Sequence, residues 1–256
     1  MRTPKIRFDS TLIVILFCSL FATSTLYADK RSKKGREVAE KSRETNRGYK
    51  GETANVTLVI IGKNNAKKVR SLLYKAKETK DDSDKTLFEF KDPPDVAGTK
   101  LLTWSHISKD NDQWLYLPGL RKIKRITSRN KTGSFLGSEF TYEDLTTPEV
   151  DKYKYKYLKK SKAMGRDAYI VERYPKDENS GYSRQIVYFD AKHYQPLKIE
   201  YYDREPQHLK TAKFEGYKKI KGFWRAEKVS IVNKVNKKKS SMTWTKRKLK
   251  KKISNQ

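Results

Sequence analysis

Hydrophobic and polar residues alternate with a period of two over most of the chain beyond residue 52. In the segment Thr53–Ile61, Ala54, Val56, Leu58 and Ile60 fall on one face of an extended strand, which is typical of a strand with one buried side. Short clusters of Gly, Pro, Asn and Asp separate such segments and mark turns. The pattern predicts about 13 short strands: Thr53–Ile61, Val69–Glu78, Thr86–Lys91, Leu101–Ile107, Gln113–Leu117, Ile123–Thr127, Tyr153–Ser161, Ala168–Tyr174, Arg184–Asp190, Pro196–Asp203, Thr211–Ile220, Trp224–Asn233 and Ser241–Lys248.

Two segments break this alternation. Asp29–Arg47 is charged and rich in helix formers, so it predicts a short, weakly amphipathic helix or a partly ordered lead-in. Lys131–Pro148 alternates poorly and contains two glycines, which favours a loop with a short helix or bulge. Many short strands at regular spacing are typical of a sandwich or a barrel. No internal repeat or linker is visible, so we expect one mostly-β domain.

The first residues carry a secretory pattern. Arg2, Lys5 and Arg7 precede the apolar run Thr11–Ala22, and Ala28 offers a small residue for cleavage. An apolar core of this length is short for a membrane span, which needs about 20 residues. We therefore predict a cleaved signal peptide over residues 1–28, a mature domain over 29–256 and a periplasmic location. The alternative is an uncleaved N-terminal anchor.

The chain is strongly basic. It contains 59 Lys and Arg against 30 Asp and Glu, a formal net charge of +29. For an exported protein, anionic lipid head groups are a more accessible polyanion than nucleic acid, and we expect no nucleic-acid partner. The candidate basic patch is Arg121, Lys122, Lys124 and Arg125. A solvated strand edge, or a charge that serves only solubility, is the alternative interpretation.

Residues that could carry catalysis do not form a recognisable set. His106, His193 and His208 lack metal-ligand spacing, and adjacent Glu143 and Asp144 would point to opposite faces of a strand. The sequence contains no nucleophile elbow, P-loop or dinucleotide fingerprint. We therefore expect a non-enzymatic protein without cofactor or metal.

Aromatic residues recur at alternate strand positions and are the candidate lining of an apolar cavity. Strands favour aromatics in any case, so an ordinary core is the alternative interpretation. The candidates are Phe88, Phe90, Trp104, Trp114, Tyr116, Phe140 and Tyr142. The side of the sheet on which these residues lie depends on the strand register, because a shift of one residue moves every side chain to the opposite face.

Three segments in series resemble the LolA-like outer-membrane lipoprotein-sorting protein family, in its divergent branch. They are Pro94–Leu102, Gln113–Leu120 and Gly137–Leu145. The resemblance implies an incomplete, half-open antiparallel β-barrel, similar to LolA and LolB, with a few covering helices. It also implies a hydrophobic cavity for the acyl chains of a lipoprotein or another lipid.

The function expected from this resemblance is a monomeric periplasmic carrier that moves lipid or lipoprotein towards the outer membrane. Burial of acyl chains supplies about 0.8 kcal/mol per methylene without covalent chemistry. Two alternatives remain open. The protein could dock on an inner-membrane lipid exporter or an anionic envelope surface without enclosing lipid. Alternatively, it could be a basic protein that binds polysaccharide or nucleic acid, with a steep dependence on salt.

Overall fold

The computed structural model describes residues 28–79 and 83–254; the predicted signal peptide therefore lies almost wholly outside the described residues. One α-helix, α1, spans residues 28–44 of this part of the chain. The strands are β1 (Gly51–Ile61), β2 (Lys67–Glu78), β3 (Asp84–Asp92), β4 (Lys100–Ser105), β5 (Asp112–Leu117), β6 (Lys122–Ile126), β7 (Tyr153–Ala163), β8 (Arg166–Pro175), β9 (Arg184–Asp190), β10 (Pro196–Tyr202), β11 (His208–Glu215), β12 (Lys218–Ile220), β13 (Phe223–Arg225), β14 (Lys228–Asn233) and β15 (Lys239–Leu249).

Thirteen of the strands form one antiparallel sheet in the order β6-β5-β4-β3-β2-β1-β15-β14-β11-β10-β9-β8-β7. The first six strands form a meander, and the later strands return to pair β15 with β1. β6 and β7 lie at the two ends of the sheet, so it does not close into a barrel. The expected mostly-β, half-open architecture is confirmed. Where several covering helices were expected, the described residues contain one α-helix and short 3₁₀ turns.

One face of the sheet, here called the inner face, carries the main hydrophobic core. Val56 and Leu58 of β1, Phe90 of β3, Leu101 of β4 and Ile231 of β14 are buried there. Because successive side chains of a strand point to opposite sides, the alternation read in the sequence corresponds to this buried face. The opposite side is called the outer face.

Residues 127–152, here called the crossover segment, connect the two ends of the sheet across its inner face. Phe135 and Phe140 of this segment pack in the same core as Phe88 and Phe90, with ring centroids of Phe90 and Phe135 5.5 Å apart. The segment contains only short 3₁₀ turns, such as Glu143–Leu145, as its poor alternation predicted. It therefore acts as a cover over the sheet.

Helix α1 covers another part of the inner face. Val38 and Ala39, the few apolar residues of its sequence, are buried in the main core. The Nε atom of Arg31 donates a hydrogen bond of 2.8 Å to the carbonyl of Tyr157 on β7. Among the described residues, no helix is long and apolar enough to cross a membrane.

Candidate functional site

A cavity of about 410 Å³ lies between the inner face, α1 and the crossover segment. This volume is within the range of pockets that enclose one small ligand. Its residues come from α1, the crossover segment and strands on both sides of the β1–β15 pair. The lining includes Ala39, Arg43, Asn46, Tyr49, Glu52, Tyr74, Asp84, Glu143, Asp144, Val150, Tyr153, Tyr155, Arg173, Tyr182, Gln185, Val187, Phe189, Ile199, Tyr201, Phe214, Tyr217, Trp224, Arg225, Val229, Trp244 and Arg247.

The apolar part of the cavity lies on β9, β10, β11 and β14. Val187 pairs with Ile199 across β9 and β10, and Phe214 pairs with Val229 across β11 and β14. Paired residues of neighbouring strands project on the same face, so these side chains form a continuous apolar floor. Such a floor suits an aliphatic chain, because burial of methylene groups removes them from water.

Tyrosines form a second part of the lining. The hydroxyl of Tyr182 donates a 2.7 Å hydrogen bond to Oδ1 of Asp144, and the hydroxyl of Tyr155 donates to the carbonyl of Val150. Burial raises the pKa of Tyr182 and of Tyr201 well above the ordinary value. These phenols therefore stay protonated near neutral pH and can serve as hydrogen-bond partners for a ligand.

Arg43 attaches α1 to the rest of the site. Its Nη2 lies 3.3 Å from Oδ2 of Asp84 on β3, and its Nε lies 3.1 Å from Oε2 of Glu149 in the crossover segment. Burial alone would lower the pKa of Arg43, but the two carboxylates raise it. Burial raises the pKa of both Asp84 and Glu149. This buried triad holds the helix against both other walls of the cavity.

A second buried charge cluster joins β1, β13 and β15. The Nε atoms of Arg225 and Arg247 each lie 2.9 Å from one of the two carboxylate oxygens of Glu52. Arg225 also donates to Oδ1 of Asn46, which follows α1. The carboxylate of Glu52 thus pairs with two guanidinium groups. Because all three side chains line the cavity, part of its wall is charged.

The seven residues selected from the sequence do not line this cavity. Phe88 and Phe90 do face inward, and they are buried in the main core together with Phe140 and Tyr142 of the crossover segment. Trp104, Trp114 and Tyr116 lie on the outer face, because the buried positions of β4 and β5 are Leu101, Thr103, Ser105, Gln113 and Leu115. The seven residues therefore lie apart from this cavity, and their role as a lipid lining stays a prediction.

Polar inner positions explain why the aromatic residues of β4 and β5 lie on the outer face. Gln113 donates one hydrogen bond to Thr103 and another to the carbonyl of Tyr142 in the crossover segment. Ser105 accepts a hydrogen bond from the backbone of Thr147. These strands bury polar side chains that bind a covering loop, so hydrophobicity alone selects their outer face.

Sequence reasoning missed most of the actual lining. The alternating Tyr153 and Tyr155 were visible as a pattern, but nothing in the pattern showed that they meet Tyr201, which is about 45 residues away in the sequence. Arg43 and Arg173 carried no sequence signal, because a buried charge resembles a surface charge until its partners are known.

The basic patch lies on β6 and the turn before it, at one end of the sheet. Arg121, Lys122, Lys124 and Arg125 are all exposed. Arg125 lies 2.5 Å from Oδ1 of Asp112, whereas the other three make no ion pair among the described residues. Within β6, Lys124 pairs with Leu115 and projects on the inner side, whereas Arg125 pairs with Trp114 and projects on the outer side.

Comparison with solved structures defines the class of this fold. A LolA superfamily protein from Nitrosomonas europaea is similar with a TM-score of 0.68 and 17% identity, over 86% of this chain and 94% of that chain. This similarity concerns the fold, which is LolA-like.

Two structures are more similar in sequence. One is described as a "putative outer membrane lipoprotein-sorting protein domain" from Vibrio parahaemolyticus, with 38% identity and a TM-score of 0.85 over 88% of this chain and 95% of that chain. The other is a DUF1329 family protein from Desulfovibrio piger, with 26% identity and a TM-score of 0.84 over the same shares. A family model described only as an uncharacterized protein matches residues 82–256. No curated protein matches the sequence. The chain belongs to the LolA-like outer-membrane lipoprotein-sorting protein family.

Proposed function

We propose that this protein is a periplasmic carrier that encloses the acyl part of a lipid or lipoprotein in the cavity beneath α1 and the crossover segment. The observation that supports this most directly is the cavity itself, with an apolar floor of Val187, Ile199, Phe214 and Val229. A family that includes a domain described as lipoprotein-sorting adds support. Transfer towards the outer membrane needs no covalent step, because apolar burial alone supplies the affinity.

Blocking the cavity tests the carrier function. Val229→Trp places a large side chain above the apolar floor, and overpacking of this kind costs about 1–3 kcal/mol. We therefore expect uptake of a fluorescent fatty-acid probe to fall about fivefold to 150-fold. Val69→Trp is the matched control, because Val69 is exposed on β2 outside the cavity. Native mass spectrometry of both variants would confirm the stoichiometry. Equal uptake by the two variants would exclude this cavity as the binding site.

A second function is favoured by the outer face next to β6. The register places Leu102 beside Trp114 and Tyr116 beside Ile123 on this face, and Ile123 is 69% exposed. Lys100, which pairs with Tyr116, and Arg125 of the basic patch, which pairs with Trp114, lie on the same face. Aromatic and aliphatic side chains bordered by cations suit the interface of an anionic bilayer. A second copy of the chain would bring two basic borders together, which like-charge repulsion opposes.

Vesicle binding tests this docking surface. We expect the protein to cosediment with vesicles that contain anionic phospholipid and to remain in solution with purely zwitterionic vesicles. Ile123→Asp should abolish most of the binding, whereas Val235→Asp, which changes an exposed apolar residue between β14 and β15, should not. Binding that is independent of lipid charge, or equal loss in the two variants, would contradict the assignment.

A further inference from the structure

A row of polar side chains crosses the inner face from β7 to β11. The strand register aligns Tyr155, Arg173, Gln185, Tyr201 and Lys210 on consecutive strands. Paired residues of adjacent strands share a face, so the row forms one border of the cavity. The apolar floor begins two residues further along the strands, where Val187 follows Gln185, at a distance of about 7 Å along the strand.

The two cations of this row, Lys210 and Arg173, differ in whether a carboxylate accompanies them. Nζ of Lys210 lies 2.5 Å from Oδ2 of Asp144 and donates to the carbonyl of Glu139. Arg173 is only 8% exposed, its Nε donates to Oε1 of Gln185 at 2.8 Å, and its guanidinium stacks 4.5 Å from the ring centroid of Tyr153. Within the described residues, no carboxylate lies within 4 Å of Arg173, and its two Nη atoms donate no hydrogen bond. A buried positive charge is costly unless an anion accompanies it.

The nearby acidic residues of the cavity do not fill this role. Asp144 already accepts from Lys210 and Tyr182. Glu143 accepts a 2.5 Å hydrogen bond from the Ser180 hydroxyl and a 3.0 Å hydrogen bond from the backbone of Gly181, and burial raises the pKa of its carboxyl. The anion that would compensate Arg173 is therefore absent from the part of the chain that the structure describes.

We propose that the ligand is a single-chain amphiphile with an acidic head group, and that Arg173 binds its phosphate or carboxylate. The planar guanidinium can offer two parallel N–H donors to either group, and Tyr155 and Tyr201 belong to the same row of side chains. The tail lies over Val187 and Ile199. This inference rests on the carrier function proposed above and names the class of its ligand. One chain, rather than several, agrees with a cavity of about 410 Å³.

Three probes and two variants test this assignment. Dodecyl phosphate and laurate carry the two acidic heads, and the monoglyceride of lauric acid carries an uncharged one. Isothermal titration should show that the wild-type chain binds both acidic probes more tightly than the neutral one. Arg173→Gln keeps the hydrogen bond capacity but removes the charge. It should weaken the acidic probes about tenfold to a hundredfold, as for a charged hydrogen bond, and leave the neutral probe unchanged.

The matched control is Arg166→Gln on the same strand. Arg166 is exposed and lies outside the cavity, so the affinities for all three probes should remain those of the wild type. Thermal unfolding of each variant checks the fold. If Arg173→Gln fails to fold, Arg173→Lys replaces it, with weaker binding of the acidic probes expected because lysine lacks the fork of donors.

Each remaining outcome decides a separate point. Equal affinity of Arg173→Gln and wild type for the acidic probes would overturn the head-group assignment and leave the carrier function intact. Loss in Arg247→Gln but not in Arg173→Gln would also overturn it. Competition by inorganic phosphate as effective as by dodecyl phosphate would identify a free-anion site and exclude an amphiphile. Failure of all three probes to bind the wild type would contradict the carrier function itself.

Discussion

Gly35 shows how a single residue sets the position of the covering helix. It is buried in the middle of α1, and a Cβ atom at this position would lie 2.9 Å from the backbone nitrogen of Tyr157 and 3.1 Å from the carbonyl carbon of Lys156. Both atoms belong to the backbone of β7, which cannot move aside without disturbing the edge of the sheet. The helix can approach the strand this closely only because residue 35 has no side chain.

We therefore expect Gly35→Ala to destabilise the protein. Helix propensity alone would make the change favourable by about 1 kcal/mol, but the steric clash should lower the free energy of unfolding by about 1–3 kcal/mol. Urea denaturation measures the difference. Gly119→Ala is the control, since nothing lies within 4 Å of its Cβ, and its effect should stay within about 0.5 kcal/mol. A Gly35→Ala protein more stable than the wild type would show that α1 does not pack as described.

At the scale of elements, a buried ion pair attaches the crossover segment to β11. Lys210 of β11 and Asp144 of the segment are 2.5 Å apart, and their side chains are 2% and 4% exposed. Removing one partner leaves an isolated buried charge, which costs about 3–5 kcal/mol. Removing both partners leaves no isolated charge. The decrease in the free energy of unfolding for the double variant should therefore be smaller than the sum for the two single variants.

A double-mutant cycle tests this attachment. We expect Lys210→Met alone to lower the free energy of unfolding by about 3–5 kcal/mol. The double variant with Asp144→Leu should lose less than the sum of the single variants, with a coupling of about 0.5–3 kcal/mol. Lys213→Met, an exposed position on the same strand, should have little effect. Strictly additive losses would mean that the two side chains do not stabilise each other.

The strands themselves were largely predictable, because alternation reports which positions share a face. The predicted Gln113–Leu117 and Arg184–Asp190 correspond closely to β5 and β9. The predicted Thr211–Ile220 is instead divided at Gly216, which adopts φ +66°. Alternation does not show such a change in backbone direction. It also does not show which face of the sheet α1 and the crossover segment cover. The lining of the cavity depends on pairing between distant strands, which one sequence does not show.

For the molecule as a whole, part of the high positive charge lies along the two open ends of the sheet. β6 carries Lys122, Lys124 and Arg125. β7, at the other end, carries Lys154, Lys156, Lys159, Lys160 and Lys162. An open edge strand presents unpaired backbone groups to other chains, and lysines on such strands discourage edge-to-edge pairing. A sheet of thirteen strands that does not close needs this protection at both ends.

The far half of β7 provides the test, because α1 contacts β7 near Tyr157 and leaves exposed Lys159, Lys160 and Lys162 beyond it. Replacing these three lysines by Thr should cause concentration-dependent self-association in sedimentation velocity, since Thr favours strands and removes the repulsion. The matched control replaces Lys213, Lys228 and Lys239 by Thr. It removes the same charge from exposed positions of β11, β14 and β15 that already pair with a neighbouring strand on each side. Association of the β7 variant alone would assign the lysines to edge protection. Equal association of both variants would assign the effect to net charge, and the lysines of β7 would then have no special role.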